Sequence, residues 1–246
     1  MARRIEGILF DLGETLLDFG EVDIDALFRE GSLLAYDYLR GRGHRLPPFE
    51  RYNRREHRAI RWKYFLSRLR MRELDVLELI DRQNRRGGRQ LAPEELLHLA
   101  GLWYRPLGER ARMEEHLPRT LRALRDMGLA LGLVSNTFIP GTVLDEHLER
   151  LGLLELLPVR VYSCDVVFRK PERRIFAAAL ERCGLRARET MFVGDKLRED
   201  VRGSARAGMI PVLKDPAGRH DRSRVRPAHR ICRIAELPAI VAGYNG

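Results

Sequence analysis

Runs of consecutive apolar residues alternate along this chain with longer segments in which apolar residues recur every three or four positions. The first run, residues 5–10, has the length of a strand and ends abruptly at Asp11. Comparable runs occupy residues 129–134, 159–163, 191–193 and 210–213, and residues 231–241 predict a final short strand and helix. Continuous apolar strands joined by helices are typical of a parallel sheet that is covered on both faces. The pattern therefore predicts an α/β fold built on a doubly wound, Rossmann-like parallel sheet.

Residues 18–115 interrupt this alternation, because strand patterns vanish there and only helical spacing remains. One helix is predicted to begin near Ile24 and to end before Gly41, and others span residues 49–65, 69–84 and 94–104, with Pro93 in the first turn of the last. We therefore expect an all-helical cap domain, residues 18–115, inserted into a core of residues 1–17 and 116–246. Further helices are predicted at residues 118–127, 142–151, 172–182 and 199–207, and a mobile loop at 215–228.

The composition is that of an ordinary globular protein, with 44% apolar residues. No apolar stretch approaches the roughly 20 residues needed to cross a bilayer, and the first residues lead into a strand rather than into a secretory signal. Cys164, Cys183 and Cys232 are scattered and odd in number, which indicates buried free thiols rather than a disulfide framework or a zinc site. We expect a cytoplasmic protein without a membrane partner.

The net charge of +10 comes almost entirely from arginine, and it permits binding to anionic partners. The arginines are spread along most of the chain, and no nucleic-acid-binding module is visible, so a nucleic-acid partner is not expected. Within the helical segment, Arg54, Arg55, Arg58 and Arg61 have two interpretations: they receive an anionic substrate, or they form a solvated helix face. We favour the second.

Polar side chains follow the predicted strands, at the edge where ligands bind in open α/β sheets. Asp11 there is a candidate nucleophile or metal ligand, or an ordinary turn residue beside Gly13. Ser135 and Asn136 follow the second strand, where a hydroxyl and exposed backbone N–H groups suit phosphate oxygens, although such residues also cap helices. Lys170 carries a compact charge that suits a transferring phosphoryl group, and a solvated lysine is the alternative.

A second acidic motif lies at the next predicted strand end. Asp195 and Asp200 are five residues apart and straddle a strand-to-helix loop that begins at Gly194. Carboxylate oxygens of this kind suit Mg²⁺, which takes few protein ligands and keeps water and phosphate in its shell. The alternative is an acidic pair that complements a helix dipole, and the agreement of strand, turn and spacing favours the metal site.

These motifs, in this order, resemble those of the haloacid dehalogenase superfamily, and the resemblance covers essentially the whole chain. It implies a doubly wound core with a helical cap inserted after the first motif. It also implies that Asp11 is the nucleophile and forms an aspartyl-phosphate, while Ser135 and Lys170 bind the phosphoryl oxygens. Asp11 and Asp195 would hold Mg²⁺, and Asp200 would support the metal or Lys170.

The chain departs from the family pattern at Gly13. Phosphatases of this family usually carry a second aspartate there, two residues after the nucleophile, as general acid and base. The main-chain carbonyl of Gly13, which the family uses as a metal ligand, survives the change, but the proton donor does not. General acid catalysis contributes roughly 10²- to 10⁴-fold, so a poor leaving group would suffer most. Glu14 is a possible substitute, although an exposed turn residue is the interpretation that we favour.

Three functions follow from these residues. The first is a Mg²⁺-dependent phosphatase acting on a small phosphorylated metabolite. The second, motivated by Gly13, is a protein of the same fold that binds a phosphorylated ligand or a partner without turnover. The third is a halide-releasing hydrolase, which we place last because dehalogenating members generally lack an acidic pair such as Asp195 and Asp200. A phosphomutase is disfavoured, since it needs acid–base help in both directions.

Overall fold

A computed structural model describes residues 4–70 and 72–246, and its centre is a six-stranded parallel sheet. The strands, in chain order β1 to β6, are Gly7–Phe10, Ala130–Ser135, Val159–Tyr162, Thr190–Gly194, Ile210–Lys214 and His229–Ile231. Their order across the sheet is β3-β2-β1-β4-β5-β6, and every neighbouring pair is parallel. The predicted doubly wound α/β fold is thus confirmed.

Both faces of the sheet are buried, which explains why its strands are continuously apolar. In β1, Ile8 and Phe10 pack into one hydrophobic cluster, while Leu9 between them packs into another on the opposite face. β4 divides in the same way, with Phe192 facing the cluster of Leu9. The core helices α5 to α10 are Leu117–Asp126, Gly141–Arg150, Ser163–Val166, Arg173–Cys183, Gly203–Arg206 and Leu237–Asn245.

Two core predictions need correction. The helix predicted over residues 199–207 is a π-helical stretch, Leu197–Arg202, followed by the short α9. The helix predicted over residues 172–182 begins one residue later, as α8 at Arg173, and the Lys170–Pro171 peptide bond is cis.

Among the described residues, four helices between β1 and α5 pack on one another around their own apolar cluster. They are α1 to α4, at Ile24–Gly41, Phe49–Arg70, Val76–Arg86 and Pro93–Arg110. Pro93 lies in the first turn of α4, as predicted. The predicted third helix was wrong at its start, because α2 continues to Arg70 and α3 begins at Val76, capped by the Asp75 side chain; residue 71 of that prediction lies outside the described residues.

The remaining expectations concern the surface. Cys232 is exposed and Cys164 and Cys183 are half-buried, so the thiols are free but less buried than expected. Within 215–228, Asp215 accepts backbone N–H bonds from Arg219 and His220, which tie the start of that loop down. In the described part of the chain, no helix combines the length and the apolarity needed to cross a bilayer.

Candidate active site

The chain reverses its direction across the sheet between β1 and β4, and two aspartates lie at that point. Asp11 directly follows β1, and its backbone N–H bonds to the carbonyl of Val193 in β4 at 2.8 Å. Asp195 directly follows β4. Because the connections that leave neighbouring parallel strands go in opposite directions at such a switch point, a crevice opens there and ligands bind in it. The fold thus brings together two side chains that lie 184 positions apart in the sequence.

Lys170 is the cation of this crevice. Its Nζ lies 2.6 Å from Oδ1 of Asp11 and 2.7 Å from Oδ1 of Asp200, and its side chain is 2% exposed. Asn136 fixes the backbone of Lys170 on both sides: the Lys170 N–H donates to Oδ1 of Asn136 at 2.7 Å, and Nδ2 of Asn136 donates to the Lys170 carbonyl at 3.0 Å. Burial lowers the pKa of Lys170, but the two carboxylates outweigh it and the net pKa lies above the usual value. The lysine therefore stays charged.

Three buried carboxylates converge beside this lysine. Asp11, Asp195 and Asp200 each offer an oxygen, and these oxygens lie within 4.8 Å of one another. Burial raises the pKa of Asp195 to about 6 and raises that of Asp200 as well, even though Lys170 opposes the shift. Oδ1 of Asp195 is buried and has no hydrogen-bond partner among the described residues. A clustered carboxylate set with an unsatisfied oxygen fits a hard divalent cation such as Mg²⁺.

The loop after β4 is built so that Asp200 reaches back to the cluster. Its Oδ2 accepts the backbone N–H of Lys196 at 2.9 Å. Gly194 makes room for it, because a Cβ there would lie 2.4 Å from Cγ of Asp200. The five positions from Asp195 to Asp200 therefore form one tight loop, which brings both carboxylates to the same cluster.

The other predicted positions lie around the same crevice. Ser135 is buried at the end of β2, and both Ser135 and Gly13 line the cavity described below. Glu14 adopts a left-handed backbone conformation with φ of 59°, and its Oε1 accepts the N–H of Phe19 at 3.4 Å. Among the described residues that line the cavity, Glu14 does not appear. Its side chain is therefore turned to the loop rather than to the crevice.

A cavity of about 910 Å³ joins the crevice to the inserted helices. Asp11, Lys170 and Asp200 line it, and much of the remaining wall comes from apolar side chains of α1, α3 and α4. Of the arginines singled out on α2, only Arg61 lines the cavity; Arg54 and Arg58 are exposed, and Arg55 donates to the carbonyl of Gln83. Most of that arginine face is solvated, as favoured above.

One set of contacts had no signal in the sequence. Glu73, in the segment between α2 and α3, has a side chain that is 2% exposed, and it contacts residues that follow β3. Its Oε2 accepts the Ser163 hydroxyl at 2.6 Å, and its Oε1 lies 3.4 Å from Arg169, the neighbour of Lys170. Ser163 also accepts the N–H of Thr137 at 2.8 Å. Because these partners are about 90 positions from Glu73, no local motif could have found them.

Comparisons with known proteins agree with this arrangement. Residues 5–208 match the family model described as haloacid dehalogenase-like hydrolase. A glyceraldehyde 3-phosphate phosphatase of Methanopyrus kandleri is 39% identical over 93 residues, which are 38% of this chain and 39% of that protein. A ribulose-1,5-bisphosphate 5-phosphatase of Halopiger xanaduensis is 29% identical over 158 residues, 61% of this chain and 65% of that protein. The chain thus aligns with only about two fifths of the length of the first of these relatives.

Solved structures extend the likeness over the full length. A 2-haloacid dehalogenase from Pseudomonas syringae pv. tomato superposes with a TM-score of 0.70 at 19% identity, covering 98% of this chain and 99% of that one. A haloacid dehalogenase-type phosphatase from Thermococcus onnurineus gives a TM-score of 0.62 at 25% identity, covering 98% and 100%. Because the family model spans residues 5–208, which are most of the chain, this protein belongs to the haloacid dehalogenase-like hydrolases.

Proposed function

We propose that this hydrolase is a Mg²⁺-dependent phosphatase that acts on a small phosphorylated substrate through an aspartyl-phosphate on Asp11. The observation that carries the proposal is the packing of three buried carboxylates, Asp11, Asp195 and Asp200, around one buried ammonium, that of Lys170. The exposed Lys196 ammonium lies 3.8 Å from Asp195, so three carboxylates still face only two ammonium groups, and a divalent cation would offset the remaining negative charge. The phosphatase names of the relatives support the same reaction class.

Each residue of the site has its own role in the proposed reaction. The Asp11 carboxylate attacks phosphorus in line, the ester P–O bond breaks, and the leaving group departs as an alkoxide that takes its proton from water. Water then attacks the acyl phosphate, which releases inorganic phosphate and restores Asp11. Lys170 offsets the negative charge of the transferring phosphoryl group, and the hydroxyl of Ser135 donates to one of its oxygens. Asn136 acts indirectly, because its amide is occupied in holding the Lys170 backbone.

Asp11, Asp195 and the Gly13 carbonyl would hold Mg²⁺, with Asp200 supporting both the metal and Lys170. When bound, Mg²⁺ would supply charge neutralisation at the phosphoryl oxygens and a template for their orientation. The unsatisfied oxygen of Asp195 and the oxygen-rich donor set fit this ion.

A second function, ligand binding without turnover, is motivated by Gly13. The residue lines the cavity, and Glu14 beside it is turned toward the backbone of Phe19. In this function the same cluster would bind a phosphorylated ligand, and no group would complete the departure of the alcohol.

The deciding experiment measures hydrolysis of 4-nitrophenyl phosphate with and without Mg²⁺. Asp11→Asn removes the nucleophile and keeps its shape, and Asp126→Asn makes the same chemical change at an exposed position of α5 as a control. We expect Mg²⁺-dependent turnover in the wild type and in the control, and none in Asp11→Asn. Acid quenching during turnover should trap a phosphorylated chain that hydroxylamine cleaves, since acyl phosphates react with it.

Metal binding has its own measurement. A ligand that binds only the folded chain stabilises it by RT ln(1 + [L]/Kd), about 2.7 kcal/mol at one hundred times Kd. Mg²⁺ should therefore raise the melting temperature of the wild type and leave that of Asp195→Asn unchanged. Phosphate binding without any turnover would establish the second function, and halide release from a haloacid without metal would establish the dehalogenase.

A further inference from the structure

We propose that the substrate is a phosphate monoester whose alcohol or phenol part is a neutral, apolar body at least as large as an aromatic ring. This inference rests on the proposed phosphatase function and names its substrate class. It is drawn from the cavity that leads away from the charged cluster, whose volume of about 910 Å³ exceeds what a phosphate and a metal ion need. Sites of 300–1,000 Å³ typically enclose whole small molecules.

The walls of the cavity are apolar and partly aromatic. They include Leu27 and Phe28 of α1, Ile60 of α2, Trp103 and Leu107 of α4, and Phe138. Leu27 and Ile60 are buried, whereas the three aromatic rings are only half-buried. Phe28 and Trp103 meet edge to face, with ring centroids 5.9 Å apart. Half-buried rings gathered around an open space still have apolar area to bury, and an apolar leaving group would bury it.

The charges along the cavity argue against a leaving group with a second anionic group. The Lys and Arg side chains among the described lining residues are Arg61, Arg169, Lys170 and Lys196. Each lies within 4.0 Å of a carboxylate: Arg61 of Asp25, Arg169 of Glu73, Lys170 of Asp11 and Asp200, and Lys196 of Asp195. His57 likewise lies 3.2 Å from Asp25. A carboxylate or second phosphate on the leaving group would have to compete with these carboxylates for each cation.

The side of the cavity formed by the start of α1 agrees with this conclusion. Ile24 lines the cavity and is 52% exposed, so apolar surface continues from the cavity to the solvent. Asp23 and Asp25 lie beside it and also line the cavity. An anionic leaving group would meet two carboxylates there, whereas an apolar one would meet an apolar side chain.

The test compares three aryl phosphates of nearly equal chemical reactivity in the presence of Mg²⁺: phenyl phosphate, 4-propylphenyl phosphate and 4-(2-carboxyethyl)phenyl phosphate. The last two have the same length and differ in charge. Burial of one methylene group should raise kcat/KM about fourfold, which corresponds to ~0.8 kcal/mol. We therefore expect kcat/KM for the propyl ester to exceed that for phenyl phosphate by tenfold or more. The carboxyethyl ester should fall below phenyl phosphate.

Two variants of one position connect the preference to the cavity wall. Phe28→Leu keeps an apolar wall and should keep the order of the three esters. Phe28→Arg places an additional cation on the cavity wall and should raise the ratio of carboxyethyl to propyl ester at least tenfold. If either variant fails to fold, the three esters on the wild type still decide the question.

The outcomes separate the two proposals. Equal kcat/KM for all three esters, or preference for the carboxyethyl ester, overturns the apolar substrate class and leaves the phosphatase intact. Absence of Mg²⁺-dependent turnover on all three and on 4-nitrophenyl phosphate overturns the phosphatase itself.

Discussion

We predict that Gly194→Ala lowers activity, because the added Cβ would clash with the Asp200 side chain. The ideal position of its Cβ lies 2.4 Å from Cγ and 2.5 Å from Oδ2 of Asp200. The φ angle of Gly194 is not positive, so the backbone itself accepts alanine and the cost is steric. Non-bonded carbon atoms are comfortable at about 3.5–4.0 Å, and the Asp200 side chain must therefore retreat by about 1 Å.

That retreat breaks the two interactions that hold the acidic cluster together. Oδ1 of Asp200 lies 2.7 Å from Lys170 Nζ, and Oδ2 lies 2.9 Å from the N–H of Lys196. An additional 1 Å takes both beyond hydrogen-bonding distance. Misplacement of a catalytic group by about 1 Å costs roughly 10²-fold in rate, and overpacking costs about 1–3 kcal/mol of stability. We therefore expect Gly194→Ala to lose about 100-fold in kcat/KM while remaining folded.

The assay is Mg²⁺-dependent hydrolysis of 4-nitrophenyl phosphate, with urea unfolding run in parallel. Gly243→Ala in α10 is the matched control, because a Cβ there meets no atom within 4 Å, and its activity should equal that of the wild type. A Gly194→Ala enzyme with kcat/KM within threefold of the wild type would show that Asp200 needs no such placement, and the steric argument would fail.

Three other perturbations test different parts of the structure. Gly13→Asp, whose Cβ would lie 3.4 Å from Phe19, should raise kcat/KM on an ester of an ordinary alcohol by up to 10²- to 10⁴-fold. The increase on an aryl ester should be far smaller. If Gly13→Asn had an equal effect, proton donation by the new side chain would be excluded. Lys170→Met leaves two buried carboxylates without their cation, and urea unfolding should show a loss of about 3–5 kcal/mol that Mg²⁺ partly restores; unchanged stability would refute the charge argument. Burial lowers the pKa of His147 below 6.5, so the unfolded chain takes up the proton first and stability should fall as pH drops through and below about 6.5. His147→Gln should flatten that dependence between pH 8 and 5.5, and parallel curves would contradict it.

The sheet could be predicted because its signal is local. Each strand is a short apolar run. Because both faces of the sheet are buried, polar and apolar residues do not alternate along the strands. The convergence of Asp11 and Asp195 follows from the same fact, since parallel strands send their carboxyl ends to one edge. Lys170 lies farther from its strand, in the loop after α7, and Asn136 holds its backbone in place. Only the order of the strands, which decides that β1 and β4 are neighbours, needed the structure.

The segment between α2 and α3 could not be predicted, because its contacts are distant. Residues 69–75 carry helical spacing, yet α2 ends at Arg70 and residues 72–75 are not helical: the Glu73 N–H bonds to the carbonyl of Val167 at 2.9 Å, and Arg72 forms a bridge with Phe168. These partners belong to the loop before α8 and lie more than 90 positions away. Tertiary contacts here override a local helix preference, and the cavity wall depends on the result.

Gly13 and the apolar cavity both bear on the chemical nature of the leaving group. Without an aspartate at position 13, the leaving group departs without a proton donor, and departure is easiest when its conjugate acid is already acidic. A phenol, with a pKa near 10 as in tyrosine, meets that condition far better than an ordinary alcohol. The walls at Phe28, Trp103 and Phe138 favour an apolar body beside the phosphate. An aromatic ring bonded directly to the ester oxygen satisfies both constraints, which is why Gly13→Asp should relax the leaving-group requirement and leave the preference for apolar esters unchanged.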